Sequence, residues 1–322
     1  MNIAILGYGT IGKGVFQIAQ NNKNLNVIKI LEKQEKFDAN YLDLFVSSID
    51  EIVNDETIDL VVEVLGGYDF AKNCILKSLR NKKHVVTANK EIIAKDIDEL
   101  LLVAKENDVT LLYEASVGGG IPIIKNIKEI AQVSKISKIT GILNGTTNYI
   151  MTNMFNGMPF EEALKKAQEL GFAEADPTAD LEGFDMMRKI AILSDLAWNT
   201  KIDINLIKHE SFKTVTDEDI KKAKEDNKVI KYVCEAELID NKINIGVYPS
   251  VFEKTHLFAN VNYEVNAVIL ETYPNDTLVF IGKGAGSLPT ASAVVGDIID
   301  IINEKNVEFY ENKNKYIINE VK

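Results

Sequence analysis

NIAILGYGTIG, residues 2–12, is a short apolar run that leads directly into glycines at positions 7, 9 and 12. The apolar run predicts a strand, and the glycines with the helix-period residues behind them predict a tight turn that opens a helix. In that context the glycines permit the turn itself, close approach of the backbone to a pyrophosphate, and close packing of the helix on the strand. We therefore expect a dinucleotide, with its phosphates at the helix N-terminus. The alternative is a set of turn glycines in an α/β domain that binds no nucleotide.

The rest of the first third continues to alternate short strands with helices, which is typical of a parallel sheet. Strands are predicted at 2–6, 26–31, 59–64, 84–87 and 110–113, and helices at 10–21, 68–80 and 90–106. Helices then dominate, around 121–131, 147–155, 160–170 and 185–198. Last come a charged helix at 217–227, a hairpin of 228–239 with 242–248, a second strand pair flanking 274–276, a helix at 290–303 and a polar tail from Asn312 that we expect to fray.

The composition excludes several classes of protein. A chain of 322 residues with 46% hydrophobic and 26% charged residues suits a globular protein of two domains. Its net charge of -12 repels phosphate backbones and anionic lipid, so nucleic acid is not an expected partner. The chain has no apolar run approaching about 18 residues and no basic leader, so we expect no membrane span and a cytoplasmic location. Cys74 and Cys234 lie in apolar segments without paired spacing, which predicts reduced, buried thiols.

The cofactor preference stays open at the level of sequence. Glu32 lies twenty residues after Gly12, where an acidic side chain would bind a ribose 2′-hydroxyl. Lys33 beside it could instead contact a 2′-phosphate. Both NAD and NADP are therefore compatible with this segment.

Lys90 follows a predicted strand in the segment VTANK, residues 86–90. Because an open α/β sheet binds ligands at the carboxyl ends of its strands, Lys90 would point towards the nicotinamide end of the cleft. A cation there could polarise a carbonyl and offer a proton. The alternative is a solvated lysine at a helix start, although a helix N-terminus disfavours positive charge.

A second candidate centre follows the acid-rich segment GFAEADPTAD, residues 171–180. On the next predicted helix, Asp185 and Lys189 are four residues apart and share one face. Much of the remaining helix surface is apolar, at Met186, Met187, Ile190, Ala191, Leu193, Ala197 and Trp198. The helix is therefore expected to be buried, and a buried lysine must be paired or have a lowered pKa, either of which suits proton transfer. The alternative is an ordinary exposed salt bridge.

Taken together, these motifs resemble the homoserine dehydrogenases, which interconvert aspartate 4-semialdehyde and homoserine. The segments that carry the resemblance run over nearly the whole chain: residues 7–12, TANK at 87–90, EASVGGGIP at 114–122, GILNGTTN at 141–148, the block 174–189, GAG at 284–286 and PTA at 289–291. Their joint order is far more specific than any one of them.

The resemblance implies roles for individual residues. Lys189 would be the proton donor to the aldehyde oxygen, with Lys90 as a second lysine across the substrate and Asp185 orienting the donor. The implied substrate-binding residues are Glu174, Asp180, Asp185, Gly145 and Thr146. The implied cofactor-binding residues are Gly7, Gly9, Thr10, Ile11, Gly12, Glu32, Lys33, Lys90 and Gly284. A monovalent cation, typically sodium, would lie at Glu114, Val117, Gly119 and Ile121.

The resemblance also implies an architecture. We expect a Rossmann-type dinucleotide-binding domain at residues 1–130, completed by 285–322, and a second α+β domain for substrate binding, catalysis and dimerisation at 131–284. A homodimer is implied. Many family members continue into an ACT regulatory domain, whereas this sequence ends soon after its last predicted helix, so we expect a short form without that domain. Two alternatives stay open: a dehydrogenase of the same architecture that acts on another small aldehyde or amino-acid-like substrate, and a nicotinamide-binding sensor without catalysis.

Overall fold

The computed structural model describes residues 1–304 and 313–320, which divide into two compact units. The first unit comprises residues 1–120 and 286–304, and the second comprises residues 121–285 and 313–320. Within the described residues, no helix combines the length and apolarity that crossing a bilayer requires.

The first unit is built on a parallel sheet. Its strands are β1 (Asn2–Leu6), β2 (Asn26–Leu31), β3 (Phe45–Val46), β4 (Leu60–Glu63), β5 (His84–Thr87) and β6 (Leu111–Leu112), and its helices up to this point are α1 (Thr10–Gln20), α2 (Asp50–Val53), α3 (Asp69–Arg80) and α4 (Lys90–Glu106). The strand order β3-β2-β1-β4-β5-β6 is that of a doubly wound Rossmann fold. The sequence prediction of this fold is confirmed.

The second unit combines helices with a mostly antiparallel sheet. Its helices are α5 (Ile123–Val133), α6 (Gly145–Phe155), α7 (Phe160–Glu169), α8 (Thr178–Leu181), α9 (Phe184–Trp198) and α10 (Asp217–Glu225). Its strands are β7 (Lys135–Ile142), β8 (Lys208–His209), β9 (Lys228–Ile239), β10 (Lys242–Glu253), β11 (Val265–Tyr273), β12 (Asp276–Lys283) and, after α11 (Ser287–Ile302) of the first unit, β13 (Ile317–Glu320). The strand order is β12-β11-β7-β9-β10-β13, with β8 also beside β10.

Both predicted strand pairs are present as antiparallel hairpins. In the first, Asp240 and Asn241 form the two-residue turn between β9 and β10 with positive φ angles of 46° and 62°. Two consecutive residues with positive φ are the requirement of a type I′ turn, which Asn and Asp tolerate. Helix α9 packs on β7 and β9, so its predicted burial is confirmed.

The structure differs from the sequence analysis at three points of organisation. The strand β7 was missed, although it lies between β9 and β11 near the centre of its sheet. The first domain was extended to residue 130, whereas α5 lies in the second unit, where it packs on α9 and β7. The tail was assigned to the first domain and expected to fray, whereas β13 pairs with β10 in the second sheet. Asn312 itself lies outside the described residues.

The cysteine prediction is confirmed in one respect, since Cys74 and Cys234 are both buried and neither forms a disulfide. Burial raises the pKa of each thiol to about 12. A thiol with so high a pKa is protonated at neutral pH and is a poor nucleophile.

Candidate active site

The glycine turn of the first unit has the geometry that its sequence predicts. Gly7 has a φ of 99°, which a residue with a Cβ rarely adopts, and its N–H donates to the Leu31 carbonyl at 2.9 Å. A Cβ on Gly12 would lie 1.9 Å from the Gly7 carbonyl oxygen. Gly9 is the N-cap residue of α1. Gly9 and Thr10 are exposed, and Ile11 is half-buried. The exposed side of the turn therefore offers the first N–H groups of a helix to an anion.

Glu32, at the end of β2, is tied to this turn. Its Oε2 accepts from the Tyr8 N–H and its Oε1 from the Lys33 N–H, both at 2.9 Å. Burial alone would raise its pKa, but these two hydrogen bonds and the nearby lysines outweigh burial, and the pKa of Glu32 is lowered. A negative charge is thus fixed beside the turn, whereas the Lys33 side chain is exposed.

A buried carboxyl group joins the ends of β4 and β5. Glu63 accepts hydrogen bonds from the Leu65 N–H at 2.8 Å and from the Thr87 hydroxyl. That hydroxyl in turn accepts from the Asn89 N–H at 3.0 Å, and the Asn89 side chain caps α4, whose first residue is Lys90. Glu63 is fully buried, and burial raises its pKa to about 7 against the opposing effect of these hydrogen bonds.

We expect Glu63→Gln to change how stability depends on pH. Between pH 4.5 and 7, Glu63 is ionised in the unfolded chain but protonated in the folded chain. The wild type therefore loses stability as pH rises through this range. Glutamine lacks this titration. The stability of the variant relative to wild type should therefore rise by about 3 kcal/mol from pH 4.5 to pH 8, measured by urea unfolding. The exposed Glu106→Gln should show no such rise, and a pH-independent difference for Glu63→Gln would contradict a raised pKa.

The lysine of the second unit lies in a compact network. Lys189 Nζ is 2.7 Å from Asp185 Oδ2 and donates to the Leu143 carbonyl at 2.6 Å. Lys189 and Asp185 are 9% and 7% exposed, so the alternative of a solvated salt bridge is wrong. A buried ion pair with a further carbonyl partner holds the ammonium in one orientation.

Asn144 connects this pair to a third carboxylate. Its Nδ2 donates to Asp180 Oδ1 at 2.7 Å and to Asp185 Oδ2 at 3.0 Å. Its Oδ1 accepts from the Thr147 N–H at 2.8 Å and thereby caps α6. One carboxamide therefore fixes both the N-terminus of α6 and the two acidic residues.

The pKa of the Asp180 carboxyl group is raised from its ordinary value. Burial raises its pKa, and the charge of Asp185 raises it further, whereas the hydrogen bond from Asn144 and the charge of Lys189 oppose the rise. A cation that bound beside these acids would relieve their repulsion and favour ionised Asp180.

The structure brings some predicted substrate residues together and leaves one apart. Thr146 is buried in the first turn of α6, where its hydroxyl donates to the Phe172 carbonyl at 2.6 Å, and Gly145 begins the same helix. The Glu174 side chain is exposed, and its carbonyl accepts from the Gln168 side chain at 3.1 Å. In the described chain, no contact joins the Glu174 carboxylate to Lys189, Asp185 or Asp180.

The predicted cation residues lie along one buried loop. Glu114, Val117, Gly119 and Ile121 are each buried, and Gly118 and Gly119 have positive φ angles of 76° and 55°. The Glu114 N–H donates to Asp297 Oδ2 at 2.8 Å. Gly284, a predicted cofactor residue, lies just before the chain returns to the first unit at Gly286.

Comparison with known proteins assigns the family. A model described as the NAD binding domain of homoserine dehydrogenase matches residues 7–114, and a model described as homoserine dehydrogenase matches residues 122–299. The chain belongs to the homoserine dehydrogenase family. The family that the sequence motifs indicated is therefore confirmed.

Individual homoserine dehydrogenases match most of the chain. The one from Bacillus subtilis (strain 168) is 38% identical over 98% of this chain and 76% of its own. A homoserine dehydrogenase structure from Thiobacillus denitrificans has a TM-score of 0.93 at 33% identity and covers 99% of this chain and 79% of its own. A hyperthermophilic archaeal homoserine dehydrogenase in complex with NADPH has a TM-score of 0.80 at 26% identity and covers 97% and 99%.

Two residues of this homoserine dehydrogenase family member were missed as site residues by the sequence analysis. Asn144 was quoted only within a motif, and Glu63 lay only within the predicted strand 59–64. A signal for Asn144 was available, because asparagine just before a helix is a favoured N-cap. Its bonds to Asp180 and Asp185 bridge more than thirty residues of sequence, so no local pattern indicates them.

Proposed function

We propose that this protein interconverts L-homoserine and L-aspartate 4-semialdehyde with NAD or NADP, as a step of threonine, methionine and isoleucine biosynthesis. The observation that carries the proposal is the buried Lys189–Asp185 pair, which Asn144 joins to Asp180. A proton donor and carboxylates for an ammonium group are what reduction of an amino aldehyde requires of the protein.

Lys189 is the proposed proton donor. The bound nicotinamide supplies the hydride for the aldehyde carbon. As charge develops on the aldehyde oxygen, Lys189 Nζ donates a proton to it, and in the reverse direction the neutral amine accepts that proton. Asp185 and the Leu143 carbonyl hold Nζ in place by two contacts. Lys90, half-buried at the start of α4, is the proposed second lysine.

The carboxylates are the proposed site for the substrate ammonium. Asp180 and Asp185 both accept hydrogen bonds from the Asn144 carboxamide, which holds them in place before the substrate binds. Gly145 and Thr146 are proposed to contact the substrate from the first turn of α6. Glu174 is proposed to join them, which requires its exposed side chain to turn towards the bound substrate.

Absorbance at the reduced-nicotinamide band tests the proposal. Purified protein with L-homoserine and NAD or NADP should show growth of that band, and aspartate 4-semialdehyde with the reduced cofactor should show its decay. Protein that binds the cofactor but turns over neither substrate would contradict the proposed reaction. It would favour another aldehyde substrate or a sensor.

The proposed cofactor residues are Gly7, Gly9, Thr10, Ile11, Gly12, Glu32, Lys33, Lys90 and Gly284. Among them Glu32 supports a preference for NAD. Its ionised carboxylate is held by two backbone N–H groups, can accept from a ribose hydroxyl and repels a 2′-phosphate.

Glu32→Gln is expected to shift the ratio of kcat/KM values towards NADP about tenfold, because removing one repulsive charge near the surface is worth about 1.4 kcal/mol. The measurement is kcat/KM with each cofactor at saturating L-homoserine. Glu35→Gln alters an exposed acid three residues away and should leave the ratio unchanged. A wild type that prefers NADP would show that Glu32 does not face the 2′ position.

We further propose a sodium ion at Glu114, Val117, Gly119 and Ile121. The left-handed residues Gly118 and Gly119 turn the loop sharply, and the buried Glu114 would offer a carboxyl group to the ion. The carboxyl group of Glu114 and backbone carbonyl groups of the loop would be oxygen ligands, which suit a hard cation.

A homodimer through the second unit is also proposed. The edge strand β12 exposes Val279 and Ile281, and an apolar edge strand is a surface for pairing with another chain. Two unpaired thiols suit the reducing cytoplasm, where we propose that the enzyme acts.

A further inference from the structure

Asn266, the second residue of β11, has a buried carboxamide with no hydrogen-bond partner at either end. The residue is 1% exposed, and neither Nδ2 nor Oδ1 makes a hydrogen bond within the described structure. Burying an amide without partners destabilises a fold, and native proteins rarely keep such a group without a use for it. The carboxamide is therefore a candidate for binding a ligand.

The strand register places this residue next to the proposed site. Ala267 pairs with Ile142, so the same antiparallel register sets Asn266 opposite Leu143. The Leu143 carbonyl accepts from Lys189 Nζ at 2.6 Å. In addition, Asn266 Oδ1 lies 3.7 Å from where a Cβ on Gly145 would be. The carboxamide thus lies beside the first residue of α6.

Two glycines, Gly145 and Gly284, lie against the carboxamide. A Cβ on Gly284 would lie 2.0 Å from both Cγ and Nδ2 of Asn266, so no other residue fits at position 284 without displacing the amide. On the side of Gly145 there is likewise no side chain. Contact with a ligand therefore requires the backbone at one of these glycines to shift.

The substrate of the proposed reaction has a group that needs such a partner. Asp180 and Asp185 suit its ammonium but repel its α-carboxylate. Near these acids, donors for an anion are available at the N-terminus of α6, whose first N–H groups have no partner within the helix. Asn266 Nδ2 adds a donor beside the same helix end, and Oδ1 adds an acceptor.

We propose that Asn266 is a further substrate-binding residue, whose Nδ2 donates to the α-carboxylate of the amino-acid substrate while its Oδ1 accepts from the α-ammonium. This inference rests on the proposed function. One carboxamide can bind both groups because it offers a donor and an acceptor side by side, as the substrate does in reverse.

Asn266→Leu is the test, because leucine has the same branching at Cγ and no polar atoms. We expect KM for L-homoserine to rise about tenfold or more, with the cofactor KM unchanged. The melting temperature should stay near that of wild type, since removing two buried, unpaired polar atoms offsets the larger volume of leucine. A residue that merely supports the fold would instead lower the melting temperature and leave the ratio of the two KM values unchanged.

Ser194→Ala is the matched control. The Ser194 hydroxyl is also buried and without a partner, but nothing places it among the substrate groups. Ser194→Ala should also keep the melting temperature near that of wild type, and it should leave KM for L-homoserine unchanged.

The outcomes separate this inference from the proposed function. A wild type that does not turn over L-homoserine overturns both. An active wild type whose KM for L-homoserine is unaltered by Asn266→Leu overturns the role of Asn266 alone. A rise confined to the cofactor KM also overturns it and assigns the carboxamide to the cofactor.

Discussion

Lys189→Met should lower kcat for L-homoserine oxidation about 10³-fold, because it removes the proposed group that exchanges a proton with the substrate oxygen. Methionine keeps most of the length of the side chain but has no proton to transfer. Binding of the reduced cofactor should persist, since the glycine turn belongs to the first unit and Lys189 to the second. Steady-state kinetics measure kcat, and fluorescence titration with the reduced cofactor measures cofactor binding.

The loss of a buried cation also affects stability, so Lys189→Met needs a partner variant. Asp185 would stay buried opposite an uncharged side chain, and breaking such a pair by removing one member destabilises a protein by about 3–5 kcal/mol. Lys189→Arg keeps the charge and can keep the ion pair, but a guanidinium does not release its proton at neutral pH. We therefore expect this variant to fold and still to lose most of its activity.

An exposed lysine, Lys221, provides the control variant. Lys221 also pairs with an acid four residues along its helix, Glu225 at 4.0 Å, and its side chain is 77% exposed. Lys221→Ala should be indistinguishable from wild type in kcat. If Lys189→Arg keeps near-normal turnover, the lysine acts through its charge and the proton comes from elsewhere.

The sequence predicted the first unit closely because its signals are local. Residues 2–12 combine an apolar strand, a glycine turn and a helix start, and of the later strands of this unit only the two-residue β3 was not predicted. The strand β7 was missed for a physical reason. Its sequence, KISKITGI, has isoleucine at every third position, 136, 139 and 142, instead of at every second, so the alternation that predicts a strand is absent. Only pairing with β9 and β11 fixes it as a strand.

The candidate site divides in the same way. Asp185 and Lys189 could be predicted because four residues on one helix place them on one face. The function of Asn144 depends on contacts with Asp180 and Asp185, and that of Asn266 on a register that follows from the sheet. These contacts arise from tertiary packing, so local sequence patterns do not predict them.

Gly12→Ala should abolish cofactor binding by damaging the fold itself. Its Cβ would lie 1.9 Å from the Gly7 carbonyl oxygen, and Gly7 cannot retreat easily because its own N–H is bonded to Leu31. Such overpacking against backbone should destabilise the first unit by more than about 3 kcal/mol. Thermal unfolding and titration with the reduced cofactor should both register the change.

Gly9→Ala separates binding from folding at the same turn. Gly9 has a φ of −80°, and a Cβ added there meets nothing within 4 Å, so the variant should unfold at the wild-type temperature. The same Cβ would project from the exposed face where the pyrophosphate is proposed to lie, and we expect the cofactor Kd to rise about tenfold or more. If Gly9→Ala binds the cofactor normally, the phosphates lie elsewhere. If Gly12→Ala folds normally, this result would contradict the close packing of α1 on the turn. The pair thus tests one glycine for its contact with the ligand and the other for its contact with the chain.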